Sequence, residues 1–350
     1  MTIAIIGAGA IGSVVAAYLT KAGEDVVLIG RKDQVAAIAN NGLRVIGARG
    51  EGTFPVRTLT QLDKAYDLVI FTVKTQDIDE ACAHNQAFLK KCLVLSSQNG
   101  VQSDTILGEH FDKARIYSSI VMFGATYTNP GEAVLNFEGD WIIGKPFAPN
   151  DAKLGEIARV LKKNFSVVVS DNITGMKWLK LFVNFNNCIP ALTGKSMQET
   201  FADTDLCRLS ILLLKEGLAV AAKNGIRMVS LPKFPAERIY GMANMPLDQA
   251  ADIINKTLTT LSKEPLYGSI LQSILRGRAS EIDYINGQVL KMVRSPKDDA
   301  PLNARVVAMV HQVEERKKYF TVDEIKKELD LDRYVRAQNF ASVRSSANKE

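Results

Sequence analysis

The chain is poor in the residues that build metal centres and covalent staples. Among 350 residues there are four cysteines and three histidines. Cys82, Cys92, Cys188 and Cys207 are scattered with no C-x-x-C pair, and His84, His110 and His311 are equally dispersed. Neither a metal-site spacing nor a disulfide framework is present, so no metal is expected and the expected compartment is a reducing cytoplasm. No run approaches the ~18 apolar residues of a membrane helix. The apolar N-terminus lacks the basic flank of a secretion signal, so no membrane association is expected. Charge of one sign is scarce as well: 43 basic and 38 acidic side chains leave a net +5, spread along the chain. That gives no basic stripe for nucleic acid and suits a small anionic ligand.

What is present is an ordinary globular composition, 47% hydrophobic and 23% charged, in a chain too long for most single cores. Two domains are expected. The first thirty residues organise the first of them. Ile3 to Ile6 reads as a buried strand, which breaks at Gly7-x-Gly9-x-x-Gly12 and continues as an apolar helical pattern from Ile11 to Lys21. Gly23-Glu24-Asp25 then turns the chain into a second apolar run, Val26 to Ile29. Strand, glycine turn, helix, strand is the setting in which G-x-G-x-x-G signals dinucleotide binding, although a generic strand-to-helix turn is the plainer alternative. Gly7 permits the tight turn, Gly9 lets the backbone approach a pyrophosphate, and Gly12 lets the helix pack close. The helix N-terminus, at Ala10 and Ile11, offers free N–H groups and a partial positive charge to the phosphates.

The end of the second strand chooses the cofactor. An NAD site usually places Asp or Glu there for the ribose hydroxyls. Here the strand runs into Gly30-Arg31-Lys32, and the first acid is Asp33. Arg31 can bind a 2′-phosphate with two parallel charge-assisted hydrogen bonds, which favours NADP(H) over the bland reading of a solvated arginine.

Further along, a short helix is expected from Asp33 to Asn40, and the alternation over Leu43 to Thr60 suggests a hairpin rather than another parallel strand. Asp67 to Val73 is a continuous apolar run, so a doubly buried central strand that ends in Lys74-Thr-Gln76, with a helix over Ile78 to Leu89. Leu93 to Ser97 is the next strand and ends in Gln98-Asn99-Gly100. Both polar sets sit at the carboxyl edge, where open α/β sheets bind ligands, though Asn-Gly is also a common turn dipeptide. Ile116 to Met122 and Ala133 to Gly144 read as strands completing a mixed sheet, followed by a helix over Asp151 to Phe165 and a last strand to Ser170. From Asn172 to about Tyr319 nearly everything has helical period, broken at Pro190, Leu231-Pro232, Pro246 and Pro265. The expected domains are therefore residues 1–170 and 171–320, with a polar extension at 321–350 that carries one helix, Val322 to Leu329, and is otherwise surface-bound or partly disordered.

Two helical stretches carry polar residues where core is expected. In the first, Trp178, Leu181, Phe182 and Phe185 mark a packing face, while Lys180 and Asn184 share another face one turn apart. This reads either as a helix lining a polar cleft or as a lysine that snorkels to solvent. In the second, Ser280 can cap a helix whose first turn holds Glu281 and Asp283, which makes the acids plain dipole complements. Gly287 within that helix implies close packing against another backbone, because a mid-helix glycine costs about 1 kcal/mol relative to alanine.

Taken together, Gly7-x-Gly9-x-x-Gly12, Arg31, Lys74, Asn99-Gly100, Trp178-x-Lys180-Leu with Asn184, Ser269 and Glu281-Ile-Asp-Tyr-Ile-Asn-Gly287 resemble the ketopantoate reductase (2-dehydropantoate 2-reductase) family, in order over about residues 1–318. The run beginning at Glu281, twelve residues after Ser269, is the most specific part. The resemblance implies an α/β Rossmann-type N-terminal domain, an all-α C-terminal domain similar to that of 6-phosphogluconate dehydrogenase, and NADPH-dependent reduction of 2-dehydropantoate to pantoate. It implies a catalytic role for Lys180, an orienting role for Glu281, substrate contacts at Asn99, Asn184 and Ser269, and cofactor contacts at Gly7, Gly9, Ala10, Ile11, Gly12, Arg31, Lys74 and Asn99. The implied partner is a small 2-oxoacid, bound by a monomer or a homodimer. One departure stands out. The family has a further asparagine one turn after the first, where this chain has Cys188 in a run that is two residues longer, with Asn187 as a substitute if the helix bulges. A paralogue reducing another branched 2-oxoacid, or an NADP(H)-binding regulator without turnover, are the alternatives.

Overall fold

The computed structural model describes residues 1–338. Contacts divide the chain into two compact units, Met1–Lys177 and all that follows from Trp178. The first runs β1 (Thr2–Ile6), α1 (Ala10–Lys21), β2 (Asp25–Ile29), α2 (Lys32–Asn41), β3 (Leu43–Gly47), β4 (Gly52–Phe54), β5 (Arg57–Leu59) and β6 (Leu68–Phe71). It continues with α3 (Ile78–Leu89), β7 (Leu93–Ser96), α4 (Ser103–His110), β8 (Ile116–Val121), β9 (Gly124–Asn129) and β10 (Glu132–Phe137). It closes with β11 (Asp140–Gly144), α5 (Ala152–Leu161), β12 (Ser166–Val169) and the start of α6 (Ile173–Val183).

Strands β12-β11-β8-β7-β6-β1-β2-β5 form one sheet in that order, parallel throughout except where β11 meets β8. β1 lies at its middle because it is apolar on both faces. Ile3 and Ile5 pack with the α1 residues Val14, Val15 and Leu19, while Ala4 and Ile6 face a second core with Ile78 and Cys82 of α3. Burial on both sides is what a parallel, doubly wound sheet demands of its strands. The connection reverses at β1, with β2 on one flank and β6 on the other, so the crevice at the carboxyl ends of β1 and β6 is the topological switch point.

Three expectations need correction. Residues 43–60 do form a hairpin, β3 against β4, but β5 then joins the main sheet in parallel with β2. Residues 133–137 do not extend the main sheet: β10 pairs with β3 and with β9 in a separate four-stranded sheet that covers α1. Helix α4 had no counterpart in the expectation.

The second unit is helical. Past α6, a 3-10 turn at Phe185–Asn187 leads to α7 (Cys188–Thr193), α8 (Met197–Phe201), α9 (Thr204–Lys223), α10 (Ala236–Asn244) and α11 (Leu247–Thr259). Then come α12 (Ser269–Leu275), a 3-10 turn at Ile282–Tyr284, α13 (Asn286–Leu290), α14 (Pro296–Asp299), α15 (Pro301–Arg316) and α16 (Val322–Leu329). Residues 331–338 are also helical, and the rest of the polar extension lies outside the described residues. The expected break at Pro190 falls a turn earlier, since Pro190 sits in the first turn of α7, where its missing N–H costs nothing. Among the described residues no helix is long and apolar enough to cross a membrane, and no group of three or more His, Cys, Asp or Glu side chains is placed to hold a metal ion.

Candidate active site

The glycine turn is built by exclusion. Gly7 has φ +120°, and a Cβ there would lie 2.7 Å from the Val73 amide nitrogen. A Cβ on Gly12 would lie 1.9 Å from the Gly7 carbonyl oxygen, so α1 seats directly on the turn. Thr72 secures the arrangement by donating its hydroxyl to the carbonyls of Ile6 at 3.1 Å and Gly7 at 2.8 Å. Gly9 is different: a Cβ there would meet no protein atom within 4 Å. The first intrahelical bond of α1 runs from the Ser13 N–H to the Gly9 carbonyl, which leaves the N–H groups of Ala10, Ile11 and Gly12 ahead of it. Open space in front of unbonded N–H groups at a helix start fits a dinucleotide pyrophosphate.

Arg31 lies where β2 hands over to α2, with its side chain about half exposed and 3.5 Å from Asp33. The Gln34 side chain holds the position by accepting from the Arg31 N–H at 2.9 Å and donating to the Ala8 carbonyl at 2.7 Å. That packing explains Gly30: a Cβ there would lie 2.7 Å from the Ala8 methyl and 3.1 Å from Gln34 Oε1. A carboxylate side chain has no room at the end of β2. Lys74 follows β6 and Asn99 follows β7, so both lie at the carboxyl edge. Gln98, from the same polar set, proves to be a brace, since its amide donates to the carbonyls of Phe71 and Val73 at 3.0 and 3.1 Å.

Behind Asn99 and Gly100 lies a feature that sequence reading missed. Asp104, in the first turn of α4, meets Lys177 of α6 at 2.8 Å, and both are nearly fully buried, at 5% and 3% exposure. Lys177 also donates to Ser103 at 3.2 Å and Ser118 at 3.1 Å, while Ser118 and Ser96 donate to the carboxylate. All three Lys177 protons and both carboxylate oxygens thus have partners, which a buried ion pair requires.

The second unit gathers its own polar set. The aromatic face of α6 packs as expected: Trp178, Phe182 and Phe185 are buried, with Phe185 against α9 at Gly217, where a Cβ would lie 2.5 Å from its ring. The other face carries Lys180 and, one turn on, Asn184, whose N–H bonds to the Lys180 carbonyl at 3.1 Å. Burial pulls the Lys180 ammonium down to about 8. The helix then breaks into the 3-10 turn. Cys188 therefore turns into the core, its thiol donating to the Phe185 carbonyl at 3.1 Å and pushed up to about 12 by burial. Asn187 instead packs on the start of α12: a Cβ on Gly268 would lie 2.9 Å from Asn187 Oδ1. Next to it, Ser269 Oγ is buried with no hydrogen-bond partner among the described residues.

Glu281 is buried, at 3% exposure, just before the 3-10 turn. The expected capped α-helix is not there. Ser280 Oγ accepts from the Ile282 N–H at 3.3 Å, and Gly287 packs against that same turn, where a Cβ would lie 3.3 Å from the Ile282 carbonyl oxygen. Asn286 ties the segment back by donating to the Phe185 carbonyl at 3.4 Å. Within this unit Asn187 thus meets Gly268, and Asn286 meets Phe185.

Comparison with known proteins agrees over most of the length. The family described as "Ketopantoate reductase PanE/ApbA" matches residues 3–146, and its C-terminal counterpart matches 172–314. A 2-dehydropantoate 2-reductase of Pyrococcus abyssi is 30% identical over 305 residues, covering 87% of this chain and 94% of that one. Its Pyrococcus horikoshii counterpart is 30% identical over 89% and 96%. A PanE/ApbA family ketopantoate reductase from Ralstonia eutropha superposes with a TM-score of 0.74 at 26% identity, covering 91% of this chain and 99% of that one. A D-mandelate dehydrogenase solved with NADH and anilino(oxo)acetate has a TM-score of 0.77 at 23% identity over 90% and 99%, and shares the fold.

Proposed function

The chain belongs to the ketopantoate reductase family, and from that membership we propose that it reduces 2-dehydropantoate to (R)-pantoate with NADPH, a step toward pantothenate and coenzyme A. The observation that carries the reading is the family match through both units, with Lys180, Asn184, Ser269 and Glu281 all present. Residues 1–170 bind the nucleotide, residues 171–320 bind and turn over the 2-oxoacid, and 321–350 is an extension.

Gly7, Gly9, Ala10, Ile11 and Gly12 hold the pyrophosphate, Arg31 the 2′-phosphate, Lys74 lies near the cofactor phosphates, and Asn99 serves both substrate and cofactor. NADPH, when bound, supplies the hydride. Ketone reduction places negative charge on the C2 oxygen as its π bond opens. The Lys180 ammonium stabilises that charge and gives the oxygen its proton, leaving a neutral amine and an alcohol. A lysine pulled to about 8 suits the task, because it is still protonated at neutral pH yet gives up the proton readily. Glu281 orients the lysine and accepts from the substrate hydroxyl. Ser269 Oγ and the amides of Asn184 and Asn187 hold the carboxylate, which fixes the ketone for attack.

The test is loss of NADPH absorbance on adding 2-dehydropantoate, with NADH and other branched 2-oxoacids in parallel. Rapid turnover of 2-dehydropantoate with NADPH alone supports the reading. Preference for another branched 2-oxoacid points to a paralogue with a pocket altered around Asn187 and Cys188. Tight NADPH binding with no turnover of any 2-oxoacid points to a regulator.

A further inference from the structure

Glu281 sits just before a 3-10 turn and outside any α-helix. The 3-10 turn that follows has two internal bonds, Tyr284 N–H to the Glu281 carbonyl at 3.0 Å and Ile285 N–H to the Ile282 carbonyl at 3.3 Å. Helix α15 grips the turn on both sides of Glu281. Glu314 of α15 accepts from the Ser280 N–H at 2.7 Å, immediately before Glu281. The other oxygen of Glu314 meets His311 Nδ1 at 2.8 Å, and His311 Nε2 meets Asp283 at 3.1 Å, two residues after Glu281. Further along the turn, Asn286 donates to Asn303 of the same helix at 3.2 Å, and Asn303 is itself held by Glu216 at 2.8 Å.

The imidazole is the keystone because it joins both sides of the bracket. Only a protonated ring donates from both nitrogens, and each nitrogen here faces a carboxylate. Asp283 from the turn and Glu314 from α15 are the charged groups acting on it, and they raise its pKa to about 10. A neutral ring would give up one of the two links.

We propose that His311, seated between Asp283 and Glu314, is a positioning residue for Glu281, fixing the turn that aims its carboxylate. The proposal rests on Glu281 being the orienting acid of the reaction.

The experiment compares H311L, H311K and E281Q in the full chain by steady-state kinetics with 2-dehydropantoate, alongside NADPH affinity by fluorescence. H311L is expected to lower kcat by about 10- to 100-fold, the scale of a misplaced catalytic group, with NADPH affinity unchanged. H311K, which keeps a cation with several donors, is expected to recover most of that loss. Nuclear magnetic resonance should show the His311 ring titrating far above the ordinary histidine value. If E281Q abolishes turnover while H311L keeps the parent kcat, the positioning role is overturned and the Glu281 reading stands. If E281Q itself turns over normally, the Glu281 reading falls and the proposal with it. Should H311L fail to fold, Asp283→Asn, which keeps volume and removes the anion on the turn, decides by the same readout. A His311 ring titrating near the ordinary histidine value would also overturn the proposal.

Discussion

Replacing Lys177 with methionine should cost the first unit far more than removing any surface charge. The Lys177–Asp104 pair is 2.8 Å long and both partners are nearly fully buried. Removing one partner of such a pair leaves an uncompensated buried charge, at about 3–5 kcal/mol. Ser96 and Ser118 still donate to Asp104 after the change, so the lower end of that range applies. For a unit of this size each kcal/mol moves the melting midpoint by about 2–4 °C, so K177M should melt about 6–12 °C early. By contrast, Arg31–Asp33 at 3.5 Å has both side chains more than half exposed, and such pairs contribute about 0–1 kcal/mol. Adding Asp104→Asn to K177M removes the stranded anion and keeps an amide for the serines. The double variant should therefore be more stable than K177M alone. Trp141 reports this unit and Trp178 the other, so urea unfolding in a W178F background isolates the transition. A K177M loss below ~1 kcal/mol, or single losses that simply add in the double variant, would refute the reasoning.

The remaining predictions concern the site. Turnover should fall tenfold per pH unit above about 8, where Lys180 loses its proton, and K180A should lower kcat by about 10²- to 10⁴-fold; a profile flat to pH 10 counts against the assignment. Because burial lowers the Lys180 pKa in the folded state, the penalty of its charge is fully present below pH 8 and is relieved as pH rises toward 10.5. K180M should accordingly raise the melting temperature at neutral pH and lose that advantage in alkali. Gly9→Ala should keep the parent stability, since its Cβ meets no protein atom, yet lose NADPH affinity in a fluorescence titration. Gly12→Ala, facing a carbonyl oxygen at 1.9 Å, should lose both. Arg31→Ser should cut kcat/KM with NADPH by about 10- to 100-fold, the worth of charge-assisted bonds to a phosphate, and leave the NADH rate alone; equal losses with both cofactors would remove Arg31 from the 2′-phosphate.

The parts of the fold that could be read from sequence are those whose burial is set locally. β1, α1 and β2 were legible because a strand buried on both faces must be continuously apolar, and a glycine triplet has one economical use between it and a helix. β6, α3 and β7 followed from the same rule. The smaller sheet was not legible. Alternation says that a segment is half buried but not which neighbour it pairs with, and β10 reads the same whether it joins β8 or β3. β5, at three residues, is too short to carry any period.

The site divides along the same line. Lys180 and Asn184 could be placed on one face by helical spacing alone, and Arg31 by its place after β2. What spacing could not supply was any contact made across the chain. Lys177 differs from Lys180 only in finding Asp104, 73 residues away, and nothing local marks which of the two lysines is paired. The odd Cys188 is the instructive case. Counted along a continuous helix it falls one turn after Asn184 and takes the place of an amide. The helix tightens into the 3-10 turn at Phe185–Asn187, so counting along a continuous helix fails there. The thiol turns into the core, and Asn187 lies against Gly268, beside Ser269. The signal was present in Gly268 itself, since a glycine just before a helix start leaves room for a neighbour, and here that neighbour is the amide. The departure at Cys188 therefore comes down to what the 3-10 turn presents, the thiol to the core and the Asn187 amide to Gly268.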